Sequence, residues 1–341
     1  MSTPHETPTR ITTPFPARVS PDRDAARQRN LSWARRHGLV DDAADETRYV
    51  SWDIADLMAR WLPAATGPDL DLGVDALSFA AVLDDQFDGP LHDRPPAARA
   101  ARDELAGILD TPELNTATSP LGQAFRDLWQ RQANGRSPAW QRRAATHWRW
   151  FFEAFEQESV NRRCHTTPSL SDYLILRRRS GLVYGMLDLV EAAYGFETTP
   201  EDRRAPAVRR LLTLCADVID TVNDIHSLAK EESRGDVHNV ILIIQHESGL
   251  TRQEAIDRAR IMVKLWCRRF IRIESQITNL PLASYSARLR LIAAMRDAMG
   301  GFPHWSASSA RYTDLIPANL PAYRQVLTAV ARREPGGPAP R

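Results

Sequence analysis

Helical periodicity recurs along almost the whole of this chain, and no stretch between turn signals shows the period-two alternation that a half-buried strand requires. That pattern confines the fold to the all-α class. Its clearest instance is Val208, Leu211, Leu212, Cys215, Val218, Ile219 and Val222, whose three-and-four spacing draws one apolar stripe along a helix. Similar stripes predict helices over roughly 48–62, 72–88, 97–109, 120–133, 138–162, 170–193, 205–232, 236–247, 251–277, 282–299 and 304–314. Pro63, Gly67-Pro68, Gly89-Pro90, Gly195, Gly235, Gly249, Pro281 and Gly300-Gly301 punctuate the series.

The helices follow one another without a long linker or a fixed repeat period, which disfavours a solenoid and predicts one helical domain over 29–320. Five prolines up to Asp22 predict a disordered N-terminal tail over 1–28, and the Pro- and Gly-rich end predicts a C-terminal segment, 321–341, that finishes in a second tail. Among the 341 residues 43% are hydrophobic, enough to bury a large core.

Forty-four basic residues against 43 acidic ones leave a net charge of +1, so nucleic acid is not the expected partner. Cys164, Cys215 and Cys267 are far apart, which indicates neither a zinc site nor a disulfide framework and fits reduced thiols in a cytoplasm. The longest aliphatic run, Val240 to Ile244, is too short to cross a membrane, so no membrane partner is expected.

Two acidic or amide-rich strings stand out. Asp84, Asp85 and Asp88 close a helix that Gly89-Pro90 cannot continue, which places Asp84 and Asp88 one turn apart on one face. A helix C-terminus already carries negative partial charge, so three carboxylates there are unfavourable unless a cation neutralises them. A solvated acidic helix end is the plainer reading of such a string in isolation. Far downstream, Asn223, Ser227 and Glu231 recur every fourth residue, drifting about 40° per step, so an amide, a hydroxyl and a carboxylate can face one point. Oxygen ligands with one negative charge between them would hold magnesium firmly only if a ligand supplied further oxygens.

Together the two strings resemble the paired metal motifs of class I terpene synthases, particularly bacterial sesquiterpene cyclases. The resemblance implies a helical bundle around an apolar cavity and a cofactor of three magnesium ions. Asp84 would hold two of them with Asp85 and Asp88 assisting, and Asn223, Ser227 and Glu231 would hold the third. Lys230 matches the family lysine that contacts the diphosphate, and Arg177, 46 positions before Asn223, matches the diphosphate-sensing arginine. Ser180 and Gly181 fall at the linker and effector positions of the family's helix break, although the neighbouring Arg178 and Arg179 leave this register open by one residue. Arg311-Tyr312 resembles the Arg-Tyr pair that clamps the diphosphate on closure. Dimers are common among similar enzymes, but no segment identifies an interface.

The implied reaction is ionisation of a prenyl diphosphate followed by cyclisation of the cation, which needs an apolar, closed pocket. Aromatic faces attract a cation without reacting with it, and Phe79, Phe87, Tyr184 and Trp305 are the candidates for that wall. Ala80 and Ala81 stand where related cyclases often carry aromatics, and small residues there would reshape the cavity. Farnesyl diphosphate is the expected substrate, with geranylgeranyl diphosphate as the rival. A chain-elongating prenyltransferase would normally carry two aspartate-rich motifs, and a non-catalytic helical interaction protein would need both motifs to be surface accidents.

Overall fold

The computed structural model of the chain describes residues 11–89, 91–110, 117–278 and 286–313. Every regular element among them is helical. Three short helices, α1 (Arg23–Arg36), α2 (Ala43–Ser51) and α3 (Ile54–Trp61), precede the long α4 (Gly67–Asp88). Helices α5 (Pro95–Asp110), α6 (Pro120–Ala133) and α7 (Pro138–Arg163) come next, then α8 (Leu170–Ser180), α9 (Val183–Ala193) and the single turn α10 (Pro200–Arg204). The remainder is α11 (Pro206–Arg234), α12 (Val240–Ser248), α13 (Arg252–Thr278), α14 (Ser286–Ser306) and a 3-10 turn at Ala310–Tyr312.

Local chemistry explains many starts. Ser119, Ser137 and Thr199 each precede a proline at the first helical position, and each side chain accepts a backbone N–H from the first turn. Such caps stabilise a helix by about 1 kcal/mol, and proline gives up no hydrogen bond there. Gly235 and Gly249 end α11 and α12 in the left-handed region, with φ of 69° and 64°.

Tertiary contacts redraw several of the expected boundaries. The stretch 48–62 is two helices, because Asp53 adopts φ 50° and caps α3 while Arg27 holds its carboxylate with bonds of 2.7 and 2.8 Å. The stretch 170–193 also breaks, at Gly181 and Leu182, where Leu182 takes φ 57° with its side chain buried. Conversely, Gly300 and Gly301 do not end a helix. A Cβ on Gly300 would lie 2.2 Å from the Pro16 carbonyl oxygen, and one on Gly301 would lie 2.5 Å from Arg60 Cβ. These glycines let α14 continue while the N-terminal segment and α3 press against it.

That packing corrects the expectation of a disordered tail over 1–28. Ile11 and Phe15 are buried, Thr13 donates to the Met299 carbonyl at 2.8 Å, and Arg18 grips Asp297 with two bonds of 2.8 Å. Helix α1 escapes a reading by periodicity because its inner face is only Ala26, Asn30, Trp33 and Ala34. Residues 1–10 and the expected boundary at 320, with the segment 321–341, lie outside the described residues.

One hydrophobic cluster runs from Ile11 to Tyr312. Within it α11 packs against both α13 and α14, while α4 meets α3, α6 and α9. Cys215 and Cys267 are buried and Cys164 is exposed, all three unpaired. Among the described residues no helix is long and apolar enough to cross a membrane.

Candidate active site

A cavity of about 1040 Å³, counting its open mouth, lies between α3, α4, α7, α8, α11 and α14. The acidic end of α4 and the polar face of α11 border it together. Asp84, Asp88, Asn223, Ser227 and Glu231 all line it, although the two groups are more than a hundred residues apart in sequence.

Oxygens of Asp84, Asp85 and Asp88 lie within 4.8 Å of one another. Basic side chains from elsewhere offset their repulsion. Arg311 Nη2 is 2.5 Å from Asp84 Oδ2 and its Nη1 is 3.4 Å from Asp85 Oδ1. Lys230 Nζ is 3.3 Å from Asp88 Oδ2, and Arg234 pairs with the same oxygen. Asp85 does not face the cavity; it is buried and pairs with Arg48. Burial, with Asp88 beside it, pushes the Asp84 carboxyl up to about 6, against the pull of Arg311 and Lys230. Burial acts on Asp88 too, but Lys230, Arg234 and Arg162 outweigh it and hold that carboxyl below the usual carboxylate range.

On α11 the three expected residues face the cavity from successive turns. Asn223 Oδ1 accepts from Arg177 Nη2 at 2.9 Å, and its Nδ2 donates to the Tyr312 hydroxyl at 2.9 Å. Ser227 Oγ is buried with no hydrogen-bond partner. Glu231 Oε2 accepts from Asn239 Nδ2 at 2.7 Å, yet burial, reinforced by Asp224 and Asp236, pushes its carboxyl up to about 8. An orphaned hydroxyl and a carboxyl that resists ionisation, in a set of oxygen donors only, fit a hard divalent cation that would satisfy both.

Of the three consecutive arginines only Arg177 lines the cavity. Arg178 is held by Asp217 at 2.6 Å, and Arg179 lies over the Trp150 ring at 5.6 Å. Arg177 Nε also donates to Asp224 Oδ1 at 3.0 Å. The other Asp224 oxygen takes the Tyr173 hydroxyl at 2.6 Å and the Val240 N–H at 2.9 Å, so one carboxylate ties α8 and α12 to α11. Ser180 and Gly181 border the cavity at the break between α8 and α9.

The apolar wall differs from the expected one. Trp305 lines it, with its indole N–H donating to the Trp52 carbonyl at 2.8 Å, and Ala80 and Ala81 line it as well. Phe79, Phe87 and Tyr184 do not. Phe79 stacks on Phe125 at 5.3 Å, Phe87 stacks on Phe155 at 4.7 Å, and Tyr184 packs on His147 and Trp150. Phe151 and Phe155 of α7 and Phe302 of α14 supply the aromatic surface instead. The reason is rotational: α4 turns its alanines inward, and its bulky residues fill the core behind them.

Several residues that border the cavity or hold its carboxylates escaped the sequence reading. Arg234 left a trace, standing one turn beyond Lys230 on the same helix. Asp220 left another, an acidic residue inside the apolar stripe of α11. Arg48 and Asn239 left none, because only the fold brings them to the carboxylates.

Residues 75–269 match the family described as terpene synthase family 2, C-terminal metal binding. The pentalenene synthase of Streptomyces avermitilis is 36% identical over 307 residues, covering 88% of this chain and 91% of that protein. A (-)-beta-caryophyllene synthase of Saccharothrix espanaensis, named as (2E,6E)-farnesyl diphosphate cyclizing, is 31% identical over 94% of each chain. Among solved structures, germacradien-4-ol synthase from Streptomyces citricolor superposes with a TM-score of 0.78 at 29% identity, covering 88% of this chain and 98% of its own.

Proposed function

This chain belongs to the class I terpene synthase family, and from that premise we propose that it is a sesquiterpene cyclase that ionises farnesyl diphosphate, closes the cation into a ring product and releases diphosphate. The observation that carries the reading is the meeting of two oxygen-rich sets, Asp84 with Asp88 and Asn223 with Ser227 and Glu231, at one cavity that also has an apolar, partly aromatic wall of Leu57, Ala80, Phe151, Phe155, Phe302 and Trp305.

Residues from three elements would receive the diphosphate. Arg177, Lys230, Arg311 and Tyr312 border the same space and would donate hydrogen bonds to its oxygens. These groups are engaged with the carboxylates and with Asn223, so an arriving diphosphate would compete for donors that are already in place. Preorganised donors of this kind stabilise the charge that builds on a leaving group. The assignment of magnesium to this donor set rests on its hard oxygens, and Asp84, Asp88, Asn223, Ser227 and Glu231 are the ligands we assign, with Asp85 steadying its neighbours from beneath. Three magnesium ions bound there would neutralise the departing diphosphate. Beyond the polar end, Phe151, Phe155, Phe302 and Trp305 would face the cation and exclude water from it.

Relatives that cyclise farnesyl diphosphate support the fifteen-carbon substrate over geranylgeranyl diphosphate. Incubation with each diphosphate and magnesium, with and without isopentenyl diphosphate, followed by gas chromatography, tests the reading. A cyclic product from farnesyl diphosphate alone is expected. Turnover that depends on isopentenyl diphosphate, or that occurs only with the longer substrate, would reject it.

A further inference from the structure

Asp220 is a carboxylate on the cavity wall that neither oxygen-rich set accounts for. It is 4% exposed, it borders the cavity, and its Oδ2 has no hydrogen-bond partner. Its acidic neighbours on α11 are matched by arginines: Asp217 by Arg178 at 2.6 Å and Asp224 by Arg177 at 3.0 Å. A buried carboxyl left without such a partner costs stability, so its presence calls for another reason.

Position supplies one. Asp220 lies almost one turn from Asn223, about 4.5 Å along the helix axis, on the side away from Glu231. Its companions on the wall are Ile219, Leu182, Ser180 and Gly181, so it stands where the diphosphate end gives way to the apolar part. The helix break opposite is shaped to it. A Cβ on Gly181 would lie 2.0 Å from Asp220 Oδ1 and 2.6 Å from its Cγ, so only glycine leaves room for this carboxyl. Ser180 Oγ, also buried and unpartnered, borders the same spot.

We propose that Asp220 is the proton acceptor that ends the cyclisation, a role that rests on the cyclase reading above. In that step a C–H bond on a carbon next to the cationic centre breaks, and its electron pair becomes the second bond of a C=C. The proton joins Asp220 Oδ2, and the neutral acid returns it to solvent when the product leaves. Burial, with Asp224 and Asp217 nearby, pushes the Asp220 carboxyl up to about 8 against the pull of Arg177, which makes the ionised form a strong proton acceptor. A cation in the same cavity favours that ionised form until the proton is taken.

Asp220→Asn and Asp220→Ala test the assignment with three readouts: diphosphate release from farnesyl diphosphate, product proportions by gas chromatography, and the thermal midpoint. Diphosphate release within about tenfold of wild type is expected, because the donors to the leaving group are intact. The main wild-type product should fall at least about tenfold in share, replaced by olefins that have lost a different proton or by alcohols. The midpoint should be no lower than wild type, since an unpaired buried acid has been removed. Unchanged product proportions in both variants would overturn the inference while leaving the cyclase reading intact, as would diphosphate release falling in step with every product. A wild-type protein that releases no diphosphate from farnesyl diphosphate would overturn both.

Discussion

Arg311 and Asp84 stand 227 positions apart in the chain, yet the guanidinium Nη2 of one lies 2.5 Å from the carboxylate Oδ2 of the other. The C-terminal turn thus neutralises the acid we assign to the metal ions. Much of the charge on the two sides of the site is already paired, so a bound diphosphate would exchange partners with these groups.

Asp84→Asn should lower turnover of farnesyl diphosphate by on the order of a hundredfold or more, the usual consequence of losing one electrostatic contact to a developing charge. The fold should survive, because Arg311 keeps Asp85 within 3.4 Å. Steady-state rates beside circular dichroism check both halves, and the same pair of measurements applies to Asn223→Ala. Wild-type rates from either variant would contradict the ligand assignment.

Metal uptake should strengthen as pH rises from about 6 to about 8. Glu231 and Asp84 hold their protons up to about 8 and about 6 in the metal-free protein, whereas coordination needs them as anions. Protons therefore compete with the cation at the low end of that window and cease to compete above it. The rise in thermal midpoint on adding magnesium and diphosphate should grow across this range. A flat or shrinking increment would show that neither carboxyl binds the metal.

Ala81→Phe should discriminate by chain length. Ala81 lines the cavity, so a ring there would occupy space that the hydrocarbon needs. Turnover of farnesyl diphosphate should drop by at least about tenfold while geranyl diphosphate, five carbons shorter, is still consumed. Competition between the two substrates in one vessel gives the ratio directly, and an unaltered ratio would place Ala81 away from the bound chain.

Gly300→Ala probes the N-terminal segment. The added Cβ would meet the Pro16 carbonyl at 2.2 Å, so either α14 or the segment must move. A loss of about 1–3 kcal/mol in urea unfolding is expected, in line with other overpacked sites. If stability is unaffected, the segment does not hold that position in solution.

The legibility of this protein in its sequence divides along the range of the interactions involved. Asn223, Ser227 and Glu231 could be read because their meeting is a property of one helix, and the helical repeat alone aligns them. The acidic end of α4 was readable for the same reason. Phe79 and Phe87 were misread because periodicity says which residues share a face of α4 but not which neighbour that face meets. Here the answer lies in Phe125 and Phe155, which claim both rings for the core. Gly300 and Gly301 misled for a related reason: glycine ends a helix or admits a close neighbour, and only the arrival of Pro16 and Arg60 chooses between them.

By itself, then, the order of residues determined the helical class and the alignment of the two oxygen-rich strings, which depend on spacing within a helix, while Arg177, Lys230, Arg311 and Tyr312 were reached through resemblance to a family. Tertiary structure alone decided which wall of the cavity is aromatic, that Arg48 and Arg234 steady the aspartates, and that Asp220 faces the cavity without a partner. Those outcomes depend on how helices rotate and dock against one another, and that is settled by the packing of side chains distant in the chain.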